Sequence, residues 1–260
     1  MKTFLLTLLL IFSLNFSMAQ YWQQAVDYTM AVSLDAETAR YKGSQKLIYT
    51  NNSPETLKKV FYHQYFNAFQ PGSEMAVRLK NGADKNRRFK VILDSLSADQ
   101  QGFIKVSNLS QDGAAVITED SETILEVTLN KPLGPGESTT LELDFEGQVP
   151  DVVRRAGKNS SEGVAFSMAQ WYPKMAEYDL EGWNSDPYTG REFHGVWGNL
   201  DVKITLDKDF TVAASGYLQN AEDIGKGYSE RKRPKSKKGK LTWHFIAPMV
   251  HDFTWAADVD

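Results

Sequence analysis

Apolar and polar residues alternate with a period of two through most of this chain. Leu141, Leu143 and Phe145 interleave with Glu142, Asp144 and Glu146, and Leu125, Val127 and Leu129 interleave with Glu126, Thr128 and Asn130. Successive side chains on an extended strand point to opposite faces, so the pattern predicts strands with one buried and one wet face. Val26, Tyr28, Met30, Val32 and Leu34 read the same way, as do Val202, Ile204 and Leu206, and then Leu241, Trp243 and Phe245. Turn-forming clusters separate the runs at Asn51 to Pro54, Asp112-Gly113 and Pro132 to Gly136. Sustained helical periodicity is missing beyond the amino-terminal leader, and only Glu74 to Lys80 predicts a short helix. The expectation is an all-β fold of large antiparallel sheets, forming a sandwich or a saddle.

Two segments interrupt the strand pattern. Gln70 to Gln101, rich in Gly, Asp, Asn and basic residues, predicts a long excursion between a strand around Phe61 and one around Ile104. Lys226 to Lys240 carries eight Lys or Arg and a single Glu, and reads as a solvated hairpin loop. No internal repeat and no shift in composition marks a second domain, so residues 20–260 read as one unit.

The first nineteen residues change the setting. Lys2, an apolar run from Phe4 to Leu14, and the small residues Ser17 and Ala19 make a secretory signal peptide, with cleavage expected between Ala19 and Gln20. The run is shorter than the roughly 20 residues that span a bilayer, and nothing later is apolar enough, so no membrane span is expected. The mature protein is therefore expected to be exported, either periplasmic or extracellular. The formal charge is −4, and removal of Lys2 with the leader leaves −5. That balance argues against a nucleic-acid partner. Cysteine is absent, which excludes thiol nucleophiles, thiolate metal ligands and a lipid-modified amino-terminal cysteine. An exported chain without disulfides must rest on a sizeable core, and this one is long enough to supply it.

Chemistry concentrates between Gly163 and Gly198. Trp171, Trp183 and Trp197 and several tyrosines sit there among Glu177, Asp179, Glu181, Asp186 and Glu192. Aromatic side chains offer flat contact surfaces and carboxylates resist burial, so the mixture reads as the lining of a groove. Sugars stack on such rings, although spacing along a chain cannot show a facing carboxylate pair. A helical zinc site needs two histidines four apart, and none of His63, His194, His244 and His251 has such a partner. Glu192 and His194 share one face of a strand but read as a polar surface pair, and His244 is expected to be exposed. No Gly-x-Ser-x-Gly elbow is present. No metal, cofactor or catalytic residue is expected within this chain.

Ser167-Met168-Ala169-Gln170-Trp171-Tyr172-Pro173-Lys174, then Tyr178-Asp179, Gly182-Trp183, Asp186-Pro187-Tyr188 and Glu192-Phe193-His194-Gly195 form a recognisable set. With the strand Leu200 to Leu206, the hairpin Val212 to Leu218 and the closing run His251 to Asp258, they resemble the amino-terminal domain of M1-family zinc aminopeptidases, in particular the exported bacterial type. The resemblance covers essentially all of residues 20–260. It implies a β-saddle domain that forms one wall of a substrate groove, followed by a thermolysin-like catalytic domain. That second domain would carry the His-Glu-x-x-His helix, the single zinc of the complete enzyme and the exopeptidase loop. None of these motifs occurs here, so the chain alone is expected to be inactive, and a fragment or an isolated domain is the expectation. The implied partners are peptides with a free amino terminus and the chain's own catalytic domain. By motif, Gln170 is the residue that would help hold the substrate α-amine, its amide oxygen accepting from the ammonium, with Trp171 and Tyr172 lining the first specificity pocket. The alternative is a stand-alone exported β-sandwich that binds carbohydrate on Trp171, Trp183 and Trp197.

Overall fold

A computed structural model describes residues 21–81, 92–151, 155–189, 194–225, 227–232 and 236–259. In chain order the strands are β1 (Ala25–Asp35), β2 (Arg40–Thr50), β3 (Leu57–His63), β4 (Phe103–Gln111), β5 (Ala114–Ala115), β6 (Ile117–Ser121), β7 (Ile124–Leu133), β8 (Ser138–Gln148) and β9 (Gly157–Lys158). They continue as β10 (Phe166–Met168), β11 (Lys174–Met175), β12 (Tyr178–Asp179), β13 (Gly182–Trp183), β14 (Gly198–Asp207), β15 (Phe210–Ala214), β16 (Tyr217–Leu218), β17 (Lys240–Val250) and β18 (Trp255–Val259). The helices are α1 (Glu74–Lys80) and the single-turn α2 (Ala221–Ile224). The fold is all-β. An eight-stranded sheet in the order β16-β17-β14-β1-β2-β8-β4-β5 accompanies two four-stranded sheets, β15-β18-β10-β9 and β11-β3-β7-β6, and the small hairpin β12-β13.

The alternation in sequence becomes alternation in burial. Val26, Tyr28, Met30, Val32 and Leu34 of β1 are buried while the residues between them face solvent or lie half-buried, and β8 repeats the pattern with Leu141, Leu143 and Phe145. Two glycines interrupt the inner faces of β2 and β8 for a packing reason. Gly43 is paired with Phe145 and Gly147 with Tyr41. A Cβ on Gly43 would lie 2.4 Å from the Phe145 ring, and one on Gly147 would lie 2.2 Å from the Tyr41 ring. Each aromatic ring lies across the bare backbone of its cross-strand partner, which brings Tyr41 and Phe145 into contact with Trp171.

The long excursion before β4 holds α1. Ser73 caps it, its hydroxyl accepting from the Ala76 N–H at 3.0 Å, and Glu74 bonds Arg78 one turn later at 3.2 Å. Met75 and Ala76 are the buried face. The segment from Lys226 to Lys240 joins α2 to β17, and the burial of its described residues ranges from half-buried to exposed.

Three features depart from expectation. An interior pair of the large sheet, β1 with β14, is parallel, with Val26 opposite Gly198 and Ser33 opposite Thr205. Period-two alternation carries no strand direction, so this pairing was invisible in the pattern. At its start the backbones come so close that a Cβ on Gly198 would lie 1.8 Å from the Val26 carbonyl oxygen. Second, Val212 to Leu218 is not a hairpin: β15 pairs with β18 and β16 with β17, so the chain steps from one sheet to another at Gly216, whose φ is +84°. Third, His244 is half-buried rather than exposed, with Nε2 2.8 Å from an Asp201 carboxylate oxygen on the neighbouring strand.

Candidate functional site

The segment that follows β10 turns at Gln170. Its φ of +60° lies in the left-handed region, which costs a residue with a Cβ about 1 kcal/mol or more. Gln170 is also buried, and its side-chain Nε2 has no hydrogen-bond partner among the described residues. A strained backbone and an unsatisfied amide coincide on one residue, a combination that packing alone does not favour.

Trp171 and Tyr172 anchor the turn in the core. Trp171 is fully buried, donates from Nε1 to the Phe253 carbonyl at 3.1 Å, and accepts at its own carbonyl from the Tyr41 hydroxyl at 2.8 Å. Tyr172 packs edge-on against Tyr28, and its hydroxyl bonds an Asp252 carboxylate oxygen at 3.1 Å. Both rings thus lie behind the surface, where they fix Gln170 from below. Pro173 accepts at its carbonyl from the Gln45 amide at 2.8 Å, which ties the same segment to β2.

Beyond the turn lies a set of ionisable groups to which sequence reasoning assigned no site role. Lys174, opposite His63 in the β11–β3 pair, is buried with its ammonium 3.4 Å from Asp252. Burial lowers the Lys174 pKa, and the Asp252 carboxylate offsets part of that. Gly195 leaves room for this amine, since a Cβ there would lie 2.8 Å from Nζ. Burial, with help from the charge of Asp179, pushes the Glu177 carboxyl up to about 7, against the Tyr178 N–H and the Lys174 charge. Burial also pulls the Asp179 carboxyl upward, but hydrogen bonds from the Glu181 N–H and Asn184 and the nearby His194 outweigh it and hold the group below its ordinary value.

The β12–β13 hairpin sets the outer wall. Tyr178 stacks on Trp22 and donates to Glu55 at 2.5 Å, while Trp183 packs against Tyr49, Phe61 and Tyr178. Asn184 then returns to the sheet, its N–H bonding the Glu177 carbonyl at 2.8 Å and its own carbonyl lying 3.0 Å from His63 Nε2. Beside this lies a cleft of about 450 Å³ lined by His63, Tyr65, Asn184, Asp186, Tyr188 and His194, among others.

These positions bear on the sequence expectations. Gln170, Trp171 and Tyr172 are contiguous with the buried charges, but only Gln170 carries an unsatisfied polar group. The three tryptophans do not form a stacking platform. Trp171 has no exposed face, Trp183 is half-buried beneath other rings, and exposed Trp197 has one face covered by His251 at 5.0 Å. Glu192 and the Glu192–His194 pair lie outside the described residues, as does the proposed leader. Among the described residues, no three His, Asp or Glu side chains come together as metal ligands, so these residues do not fit a zinc ion. No helix among them is long and apolar enough to cross a membrane.

No family profile and no curated protein matches the sequence. The fold, however, is similar to that of solved M1 zinc metallopeptidases. A mutant two-domain M1 zinc metallopeptidase bound to L-tryptophan superposes with a TM-score of 0.51 at 16% identity, covering 90% of this chain and 42% of the other. A mutant M1 zinc metallopeptidase from Deinococcus radiodurans, bound to a Tyr-Ser-Ala substrate, gives 0.50 at 17% identity over the same shares. At such identities the shared property is the fold. The chain spans less than half the length of either structure.

Proposed function

We propose that this chain is the amino-terminal, substrate-groove domain of an exported M1 zinc aminopeptidase, an enzyme that removes amino-terminal residues from peptides. The carrying observation is the likeness in fold to M1 zinc metallopeptidases over 90% of the chain, in structures more than twice as long. Gln170 supports the reading locally, because its left-handed backbone sits within the Gln-Trp-Tyr-Pro run. In this assignment the zinc and the residues that hold it belong to a following domain. This chain's part is recognition: Trp171 and Tyr172 hold the turn rigid from the core, and the Gln170 amide oxygen accepts from the substrate ammonium. A hydrogen bond to a charged group contributes about 1.5–3 kcal/mol, or roughly tenfold to a hundredfold in kcat/KM. Export rests on the segment from Lys2 to Ala19 and predicts a mature protein that begins at Gln20.

The test is Gln170→Gly in the chain joined to its downstream reading frame. Glycine adopts φ of +60° freely, so the fold is expected to keep or gain stability while KM for an aminoacyl-p-nitroanilide rises about tenfold. The chain alone is expected to hydrolyse nothing. Hydrolysis by the isolated 260 residues, a downstream frame without a zinc helix, or a joined enzyme indifferent to Gln170→Gly would each overturn the proposal.

A further inference from the structure

A left-handed glutamine persists only where the surrounding structure holds the chain on both sides of it, and at Gln170 the same short run does so on each flank. On the amino-terminal side Met168 pairs with Trp255 at the start of β18. On the carboxy-terminal side the two residues before that strand take over. Trp171 Nε1 donates to the Phe253 carbonyl at 3.1 Å, the Tyr172 hydroxyl bonds Asp252 Oδ1 at 3.1 Å, and Lys174 Nζ lies 3.4 Å from the same oxygen. The run from Asp252 to Trp255 is itself fixed. Thr254 donates its N–H to Ser215 Oγ at 3.1 Å and accepts at its carbonyl from the Ser215 N–H at 2.9 Å, while Phe253 has no exposed surface and packs edge-on against Phe245.

Among these contacts Asp252 is the one that stability alone does not call for. Its side chain is 9% exposed, and a carboxylate held that far from water is costly even when paired, so apolar residues of similar size often hold a fold as well. What they cannot do is accept a directional bond. One oxygen, Oδ1, takes the hydroxyl of the residue two after Gln170 and faces the ammonium of the residue four after it, so a single atom fixes how the chain leaves the turn. From this geometry we infer that Asp252 is a positioning residue for Gln170: acting through Tyr172, it keeps the backbone left-handed and the side-chain amide aimed. Asp252 itself touches no substrate. Without its oxygen the turn relaxes toward the negative φ that a residue with a Cβ prefers, and the Gln170 amide swings away from its working direction. This inference deepens the proposed function and rests on its assignment of Gln170 to the substrate ammonium.

The test uses the chain joined to its downstream reading frame and carrying Lys174→Met, so that no buried ammonium is stranded when Asp252 is changed. In that background Asp252→Asn keeps an oxygen that accepts from Tyr172, and Asp252→Ala removes it. KM for an aminoacyl-p-nitroanilide is expected to be about fivefold higher in the alanine variant than in the asparagine variant, with kcat within about twofold, because a binding contact is disturbed and the chemical step is not. Made again with Gln170→Gly, the two variants are expected to agree within about 1.5-fold, since the side chain to be aimed is gone. Tyr172→Phe in the otherwise unchanged enzyme cuts the same bond without touching a charge, and decides the matter if Asp252→Ala fails to fold. It is expected to raise KM about fivefold, and not to do so in combination with Gln170→Gly. The two claims fail separately. A Gln170→Gly enzyme with unchanged KM removes the substrate role of Gln170, and the inference with it. A raised KM in Gln170→Gly, together with equal KM in the alanine and asparagine variants or a difference that survives Gln170→Gly, overturns the positioning role of Asp252 alone.

Discussion

Lys174→Met is the most direct probe of the buried charges beneath the Gln170 turn. Methionine keeps most of the lysine stem's volume and removes the ammonium, so stem packing survives and the charge does not. The Lys174 and Asp252 side chains are 3% and 9% exposed, with Nζ 3.4 Å from Oδ1. With the ammonium gone, the Asp252 carboxylate keeps the Tyr172 hydroxyl at 3.1 Å and loses its counter-charge in a site shielded from water. Breaking a buried ion pair from one side costs about 3–5 kcal/mol, a large share of the roughly 5–15 kcal/mol that holds a domain folded. Asp252→Asn in the same background removes the stranded charge while its amide oxygen still accepts from Tyr172. The double variant is therefore expected to recover most of the loss, ending within about 1 kcal/mol of the parent. Guanidinium unfolding followed by tryptophan fluorescence, with Trp171 reporting from the core beside the pair, measures all four corners of the cycle. A cost below about 1 kcal/mol for Lys174→Met, or a double variant equal to the sum of the singles, would refute the claim that the pair is desolvated and coupled.

Two further outcomes are expected. The folded-state pKa of Glu177 is raised from 4.5 to about 7, so its proton stabilises the fold below about pH 4.5, and that contribution is lost as pH rises through 7. Glu177→Gln is expected to flatten the fall in urea midpoint between pH 5 and pH 8, and parallel pH profiles for the two proteins would count against the burial of Glu177. Gly198→Ala places a methyl 1.8 Å from the Val26 carbonyl oxygen, and both sides of that contact are backbone. The expected cost is about 3 kcal/mol, the upper end for overpacking, read as a lowered thermal midpoint; a change under about 1 kcal/mol would contradict the close β1–β14 approach.

The strands were legible because each reports its own burial. Leu141, Leu143 and Phe145 declare an inner face without reference to any other segment, and Ser73 with Glu74 to Lys80 declares a capped helix the same way. What lay beyond the pattern depends on distant partners. Lys174 and Asp252 meet across nearly eighty residues, and neither carries a local sign that it will be buried. Trp171 and Trp197 look alike in a sequence rich in aromatics and acids, yet one has no exposed face and the other is half open. The left-handed φ of Gln170 was equally hidden, because glutamine is not a residue whose presence predicts it.

The parallel pairing of β1 with β14 also sets a clock on the making of the protein. β2 joins the first edge of β1 within a few residues, but the neighbour for the other edge, Gly198 to Asp207, is synthesised about 160 residues later. At ribosomal rates of roughly 5–20 residues per second, that edge waits on the order of 10–30 s while most of the other strands emerge. Through that interval the N–H and C=O groups of Val26 to Ser33 that point toward the β14 side are free to pair with any extended chain nearby. The strand at the centre of the finished sheet is thus an edge strand for most of the protein's birth, and its protection then has to come from outside the fold.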